Sequence, residues 1–179
     1  LDPMGAFRWG YSIGGTGVDY IYGLGTSSQR QELCLTGRFT GELDTDPTEN
    51  LHTLTSAGAE DAFLSAYSLT GDFRWAVSFE DQGSNTDQGT DVVYDSAGNL
   101  ICTGSISGSV DFDPQTSLSI LSTAGSEDAY IAKLTGLPLN GRISMILNVP
   151  TVYSSIQLAL GDADSLDVVL VQPGTYYEN

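Results

Sequence analysis

Basic side chains are scarce in this chain. Lys and Arg together number 6 against 23 Asp plus Glu, a formal net charge of −17. A surface of that sign repels phosphate backbones, so no nucleic-acid partner is expected. Histidine is scarcer still: His52 stands alone, which excludes a His-based metal site. A Ser-His-Asp triad built on His52 is not expected, and the residue reads as a surface-loop histidine. The 2 cysteines, Cys34 and Cys102, are too few for a disulfide scaffold. There is no apolar run of about 18 residues, so no membrane-spanning helix is expected.

What is present suits a small-stranded, turn-rich protein. Hydrophobic residues make up 40% of the chain, enough for a core, and the 21 glycines lie mostly between short apolar runs. The acidity is spread along the chain instead of gathered in a tail. The sequence also repeats. Thr36-Gly37 through Asp44-Thr45-Asp46-Pro47 matches Thr103-Gly104 through Asp111-Phe112-Asp113-Pro114 at a spacing of 67 residues. The same spacing relates Leu51 and Leu54 to Leu118 and Leu121, and Glu60-Asp61-Ala62-Phe63 to Glu127-Asp128-Ala129-Tyr130. Upstream, Gly5-Ala6-Phe7-Arg8-Trp9 matches Gly71-Asp72-Phe73-Arg74-Trp75 at a spacing of 66. Self-similarity at a fixed period is the mark of repeat architecture.

Within each unit the local pattern is β. Asp91–Tyr94, the turn Asp95-Ser96-Ala97-Gly98-Asn99 and Leu100–Thr103 read as strand, turn, strand. Ala129–Leu134 is a further strand, and Phe73, Trp75, Val77 and Phe79 alternate as on a strand with one buried face. These strings (G-x-F-x-W-A-x-S, D-x-x-G-N-L, T-G-x-x-x-G-x-V-D-F-D-P and D-A-Y-I-A-K-L) resemble the SBBP-type β-propeller repeats of exported bacterial proteins. The second unit matches over Gly71–Leu134. The first matches over Gly5–Tyr67 but departs at Thr26–Glu32, where the D-x-x-G-N turn is replaced. The resemblance implies about four strands per unit, packed as propeller blades. Leu1-Asp2-Pro3-Met4 reads as the tail of a preceding unit, so the absence of a visible leader carries no weight. Two blades do not close a ring, and a fragment or a partial propeller is expected.

Residues 135–147 read as a linker. Beyond it, Val149-Pro150, Tyr153, Ile156-Gln157 and Ala159-Leu160 suggest a short capped amphipathic helix, followed by a strand at Asp167–Val171 and by Pro173-Gly174-Thr175-Tyr176. This order resembles the N-terminal cap and first rung of right-handed parallel β-helix (pectin-lyase-like) proteins. It departs at Leu166, where a Gly is usual. In that family the catalytic coils come later, so no site residue carries over.

Candidate chemistry reduces to a few groups. Asp44 and Asp46, and again Asp111 and Asp113, each precede Pro and can be read as oxygen ligands for Ca²⁺. A full Ca²⁺ site needs about 6–8 oxygens, so a turn in which Asp bonds the backbone and Pro sets φ is the leading reading. Glu60-Asp61 and Glu127-Asp128 recur in both units, which favours structure over catalysis. Cys34 aligns with Ile101 and Cys102 with Leu35, so the thiols have opposite strand parity; one is expected to point inward and the other across its sheet, with no disulfide. Trp9 and Trp75, with Phe7 and Phe73, are expected in the packing between sheets, a sugar-stacking surface being the alternative. Arg8 and Arg74 should face the opposite side, toward acidic residues.

The fold expected is therefore all-β: two propeller-type four-stranded blades over residues 1–134, a linker over 135–147, and the cap helix and first strand of a parallel β-helix over 148–179. The function expected is a non-catalytic extracellular or bacterial cell-surface module, a scaffold or a surface for polysaccharide or protein. The alternative is the accessory N-terminal part of a polysaccharide-degrading β-helix enzyme with an active site beyond Asn179. A Ca²⁺-stabilised adhesin is the third class.

Overall fold

The computed structural model describes residues 5–79, 85–113, 118–135, 146–149 and 168–171, the last two segments as backbone alone. Their strands are β1 Tyr20–Ser27, β2 Glu32–Phe39, β3 Glu42–Asp44, β4 Thr53–Thr55, β5 Asp61–Ser68, β6 Phe73–Phe79, β7 Gln88–Tyr94, β8 Leu100–Ile106, β9 Ser109–Asp111, β10 Ile120–Ser122, β11 Asp128–Leu134, β12 Ile146–Val149 and β13 Val168–Val171. Among the described residues there is no helix. The chain divides into two units, Leu1–Gly136 and Leu137–Asn179.

In the first unit, β1-β2-β5-β6 form a four-stranded sheet and β7-β8-β11 a three-stranded one. Every pairing in both is antiparallel. Between the second and third strands of each sheet the chain makes a small hairpin, β3 with β4 and β9 with β10. The register of the first sheet sorts its side chains. Cys34 pairs with Ala66 and Ala66 with Trp75; Thr36 pairs with Leu64 and Leu64 with Val77. Partners in a ladder share a face, so these residues line one side of the sheet. Phe39, Phe63 and Ala76 lie on the other, where the β3–β4 hairpin lays Leu43 and Leu54 over them and Ile13 and Phe73 close the cluster. The Tyr67 hydroxyl donates to the Thr45 carbonyl at 2.6 Å, tying the hairpin down.

The Cys34–Thr36 face meets the second sheet. Gly25 backs onto the Val92 main chain and Gly89 onto the Thr36 side chain, closer than any Cβ would permit. Phe79 stacks on Phe112, which in turn lies 4.6 Å from the Tyr130 ring. On the second sheet this interface takes Val92 with Cys102, and Gly104 with Tyr130. Cys102 and Tyr130 stand 67 residues beyond Leu35 and Phe63, which lie on the hairpin face of the first sheet. The sheets therefore stack in the same sense, one face of the first on the opposite face of the second. This stacking answers the cysteine question. Opposite parity plus stacking in one sense sends both thiols into the same layer, where both are buried and free.

Several expectations change. β6, which opens the second sequence unit, completes the first sheet: after the Ser68–Asp72 turn it folds straight back onto β5. A strand's sequence does not say which neighbour it joins, so sequence unit and sheet are out of phase. The second sheet has three strands among the described residues, not four. The earlier match to β6, Phe7–Ile13, is not a strand. Trp75 is 6% exposed while Phe7 is 76% exposed and Trp9 stays partly open, so the expectation that all the aromatics pack between sheets fails for Phe7 and Trp9, and Phe73 packs under the β3–β4 hairpin on the other face of its sheet. Phe7 and Trp9 lie in a segment with no ladder partner among the described residues. His52 does lie in a loop, between β3 and β4, half-buried with its ring 4.8 Å from that of Phe73.

In the second unit, β12 and β13 pair in parallel, Ile146 with Val168 through Val149 with Val171. β12 begins within the stretch read as linker. The expected cap helix and the Pro173–Asn179 segment lie outside the described residues.

Candidate functional site

The Asp-Pro turns show what their carboxylates do. Asp44 Oδ1 accepts from the Asp46 and His52 amides, each at 3.1 Å. Asp111 Oδ1 accepts from the Asp113 amide at 3.0 Å and the Ser119 amide at 2.9 Å. The two turns are the same device, and those amides hold the Asp111 carboxyl below the usual carboxylate range. Asp46 Oδ1 takes the Thr48 amide in turn. The second acidic pair repeats likewise: Asp61 Oδ2 accepts from Ala57 and Asp128 Oδ2 from Ala124, at 2.6 and 2.7 Å. Among the described residues no group of three or more His, Cys, Asp or Glu side chains is placed to hold a metal ion.

A buried ionic cluster escaped the sequence reading. Glu32, fully buried at the start of β2, accepts from Arg30 Nε and Arg74 Nη1, both at 3.2 Å, and from the Tyr94 hydroxyl at 2.6 Å. Arg74 also donates to the Arg30 carbonyl at 2.9 Å. Burial pushes the Tyr94 phenol far above its ordinary range. Both carboxylate oxygens are engaged, so the cluster is a clasp: Arg74 of β6, Glu32 of β2 and Tyr94 of β7 join the two sheets at one end. Arg74 was expected to face acidic residues on the side opposite its neighbouring aromatics; it meets Glu32, but that carboxylate stands on the ladder face that Trp75 shares. The Glu32 signal was absent because Asn99 stands at the matching position of the second copy.

The thiols offer no reactivity. Burial raises Cys102 to about 11 and pushes Cys34 well up, with Glu32 adding to the latter.

Outside the core, aromatic side chains gather at the surface. Tyr20 and Tyr22 stack at 5.9 Å, their rings within 14° of parallel, and both are exposed. The Arg38 guanidinium lies 5.2 Å from the Tyr20 centroid and 5.8 Å from that of Tyr22. Glu60 holds that guanidinium at 2.7 Å. Tyr20 and Tyr22 stand two apart on β1, the spacing that puts side chains on one face of a strand, so the pair was open to a reading of that alternation. A second pair, Trp9 and Tyr11, stacks at 5.7 Å over the turn at Gly71, with Trp9 Nε1 donating to the Leu69 carbonyl. No family model, no curated protein and no solved structure matches this chain.

Proposed function

We propose that this chain is a non-catalytic extracellular or cell-surface module whose propeller-type sheets present a binding surface for polysaccharide. The observation that carries this reading is the Tyr20–Tyr22 pair, exposed yet fixed by Arg38 and Glu60. Rigid aromatic faces with polar rims bind flat apolar faces at small entropic cost, and sugar rings present such faces. The acidic pairs support a non-catalytic reading, since their recurring bonds cap turns. A polysaccharide-binding screen tests it. The protein should bind at least one polysaccharide class, and Tyr20→Ala with Tyr22→Ala should weaken that binding roughly tenfold or more with melting unchanged. Absent binding, or binding equal in the double variant, overturns it.

The parallel pairing of β12 with β13 favours a second reading, an accessory segment of a polysaccharide-degrading β-helix enzyme. The reading frame beyond Asn179 should then encode further valine-rich coils. A stop at that point removes this reading.

A further inference from the structure

Two vacancies in the first unit match each other. The outer edge of β11 has no partner strand among the described residues, whereas its counterpart β5 has β6. Meanwhile Phe7–Ile13, the sequence copy of β6, pairs with no strand among the described residues. The faces match too. Leu64 is 0% exposed beneath the second sheet, but Ile131, its counterpart, is 71% exposed. Val92, on the second sheet, is 0% exposed against the first, but Leu24, which holds the matching place one residue before the β1–β2 partner of Cys34, is 57% exposed. Each sheet leaves open the face that the other, in its own position, covers.

We propose that the partner for both is a second copy of this chain: Phe7–Ile13 of one copy adds to the edge of β11 in another, as β6 adds to β5. The β5–β6 register fixes the pairing. Tyr67 with Phe73, Ala66 with Trp75, Leu64 with Val77 and Ala62 with Phe79 become Leu134 with Phe7, Lys133 with Trp9, Ile131 with Tyr11 and Ala129 with Ile13. The incoming copy then lays its Ile21 and Leu24 over Ile131 and Val93, all exposed in the single chain. Addition of an extended strand to a free edge supplies main-chain bonds, and alternate side chains supply register. The contact is head-to-tail, so copies grow in a row or close into a ring. Each copy carries a net charge of −17, so association strengthens as salt screens that repulsion.

Sedimentation and covalent trapping test this on the whole chain. At about 0.5 M salt the weight-average mass should rise with protein concentration, and Ile131→Lys should weaken association roughly tenfold or more. Ile131 is exposed in the single chain, so melting of a dilute sample should not change with that substitution. Chains carrying Tyr11→Cys, mixed with chains carrying Ile131→Cys under oxidised glutathione, should join as disulfide-linked pairs. Ser12→Cys, on the opposite face, should join at a small fraction of that yield. A monomer at every concentration and salt overturns the proposal. So does association that Ile131→Lys leaves intact, or equal trapping through Tyr11→Cys and Ser12→Cys.

Discussion

The two sheets of the first unit are near copies in sequence and order, yet they differ in what covers them. β5 lies between β2 and β6 and is buried over nearly its whole length, whereas β11 has β8 on one side and exposes Ile131. The turns do not share this difference: Asp44 and Asp111, like Asp61 and Asp128, make matching bonds in both copies. Local devices are therefore written into each repeat. Burial, the larger share of stability, is set by the neighbouring sheet.

Substitutions break or sharpen that comparison. The largest effect is expected at the clasp, which has no counterpart in the second copy. Glu32→Ala leaves two buried guanidinium groups without their carboxylate and should cost about 3–5 kcal/mol in chemical denaturation. Next comes the matched pair Leu64→Ala and Ile131→Ala. The first should cost about 2–5 kcal/mol, and the second should stay within about 0.5 kcal/mol in dilute solution. Equal costs would mean that the sheets are equally covered. A smaller contrast lies in the turns. Gly98 takes φ 80°, and Gln31, at the matching place, takes φ 50° without being glycine. Gly98→Ala should cost about 1–2 kcal/mol, while Gln31→Gly should gain no more than about 1 kcal/mol.

The pH dependence is the most modest effect. Asp95 is held low by the Asn99 side chain and Lys133, and Asp111 by backbone amides. A depressed folded-state pKa stabilises above the unfolded value, near about 4, and that contribution is lost as pH falls through the folded value. Stability should therefore drop on acidification below about pH 4, and Asp95→Asn with Asp111→Asn should flatten the drop in a denaturation series across pH.

Much of this was legible in the sequence. Asp, Gly and Pro at fixed spacing placed the turns, alternation placed β6, and short apolar runs beside turns placed β7, β8 and β11, because these are local properties. Three features were not local. The phase between repeat and sheet depends on which edge β6 meets. The Glu32 clasp draws on Arg74 and Tyr94, which are distant in sequence. The setting of the Tyr20–Tyr22 pair depends on Arg38 and Glu60, which are distant from it in sequence. The cysteines were half legible: their opposite parity was plain, but its consequence required knowing how the sheets stack.

Amide hydrogen exchange, read residue by residue in dilute protein at low salt, addresses the account most directly. In β5, with ladder partners on both sides, successive amides should all exchange slowly. In β11 the amides facing β8 should be slow and the alternate ones, on the open edge, fast. Uniform protection along both strands would contradict the claim that one repeat sequence, placed twice, is completed on only one side.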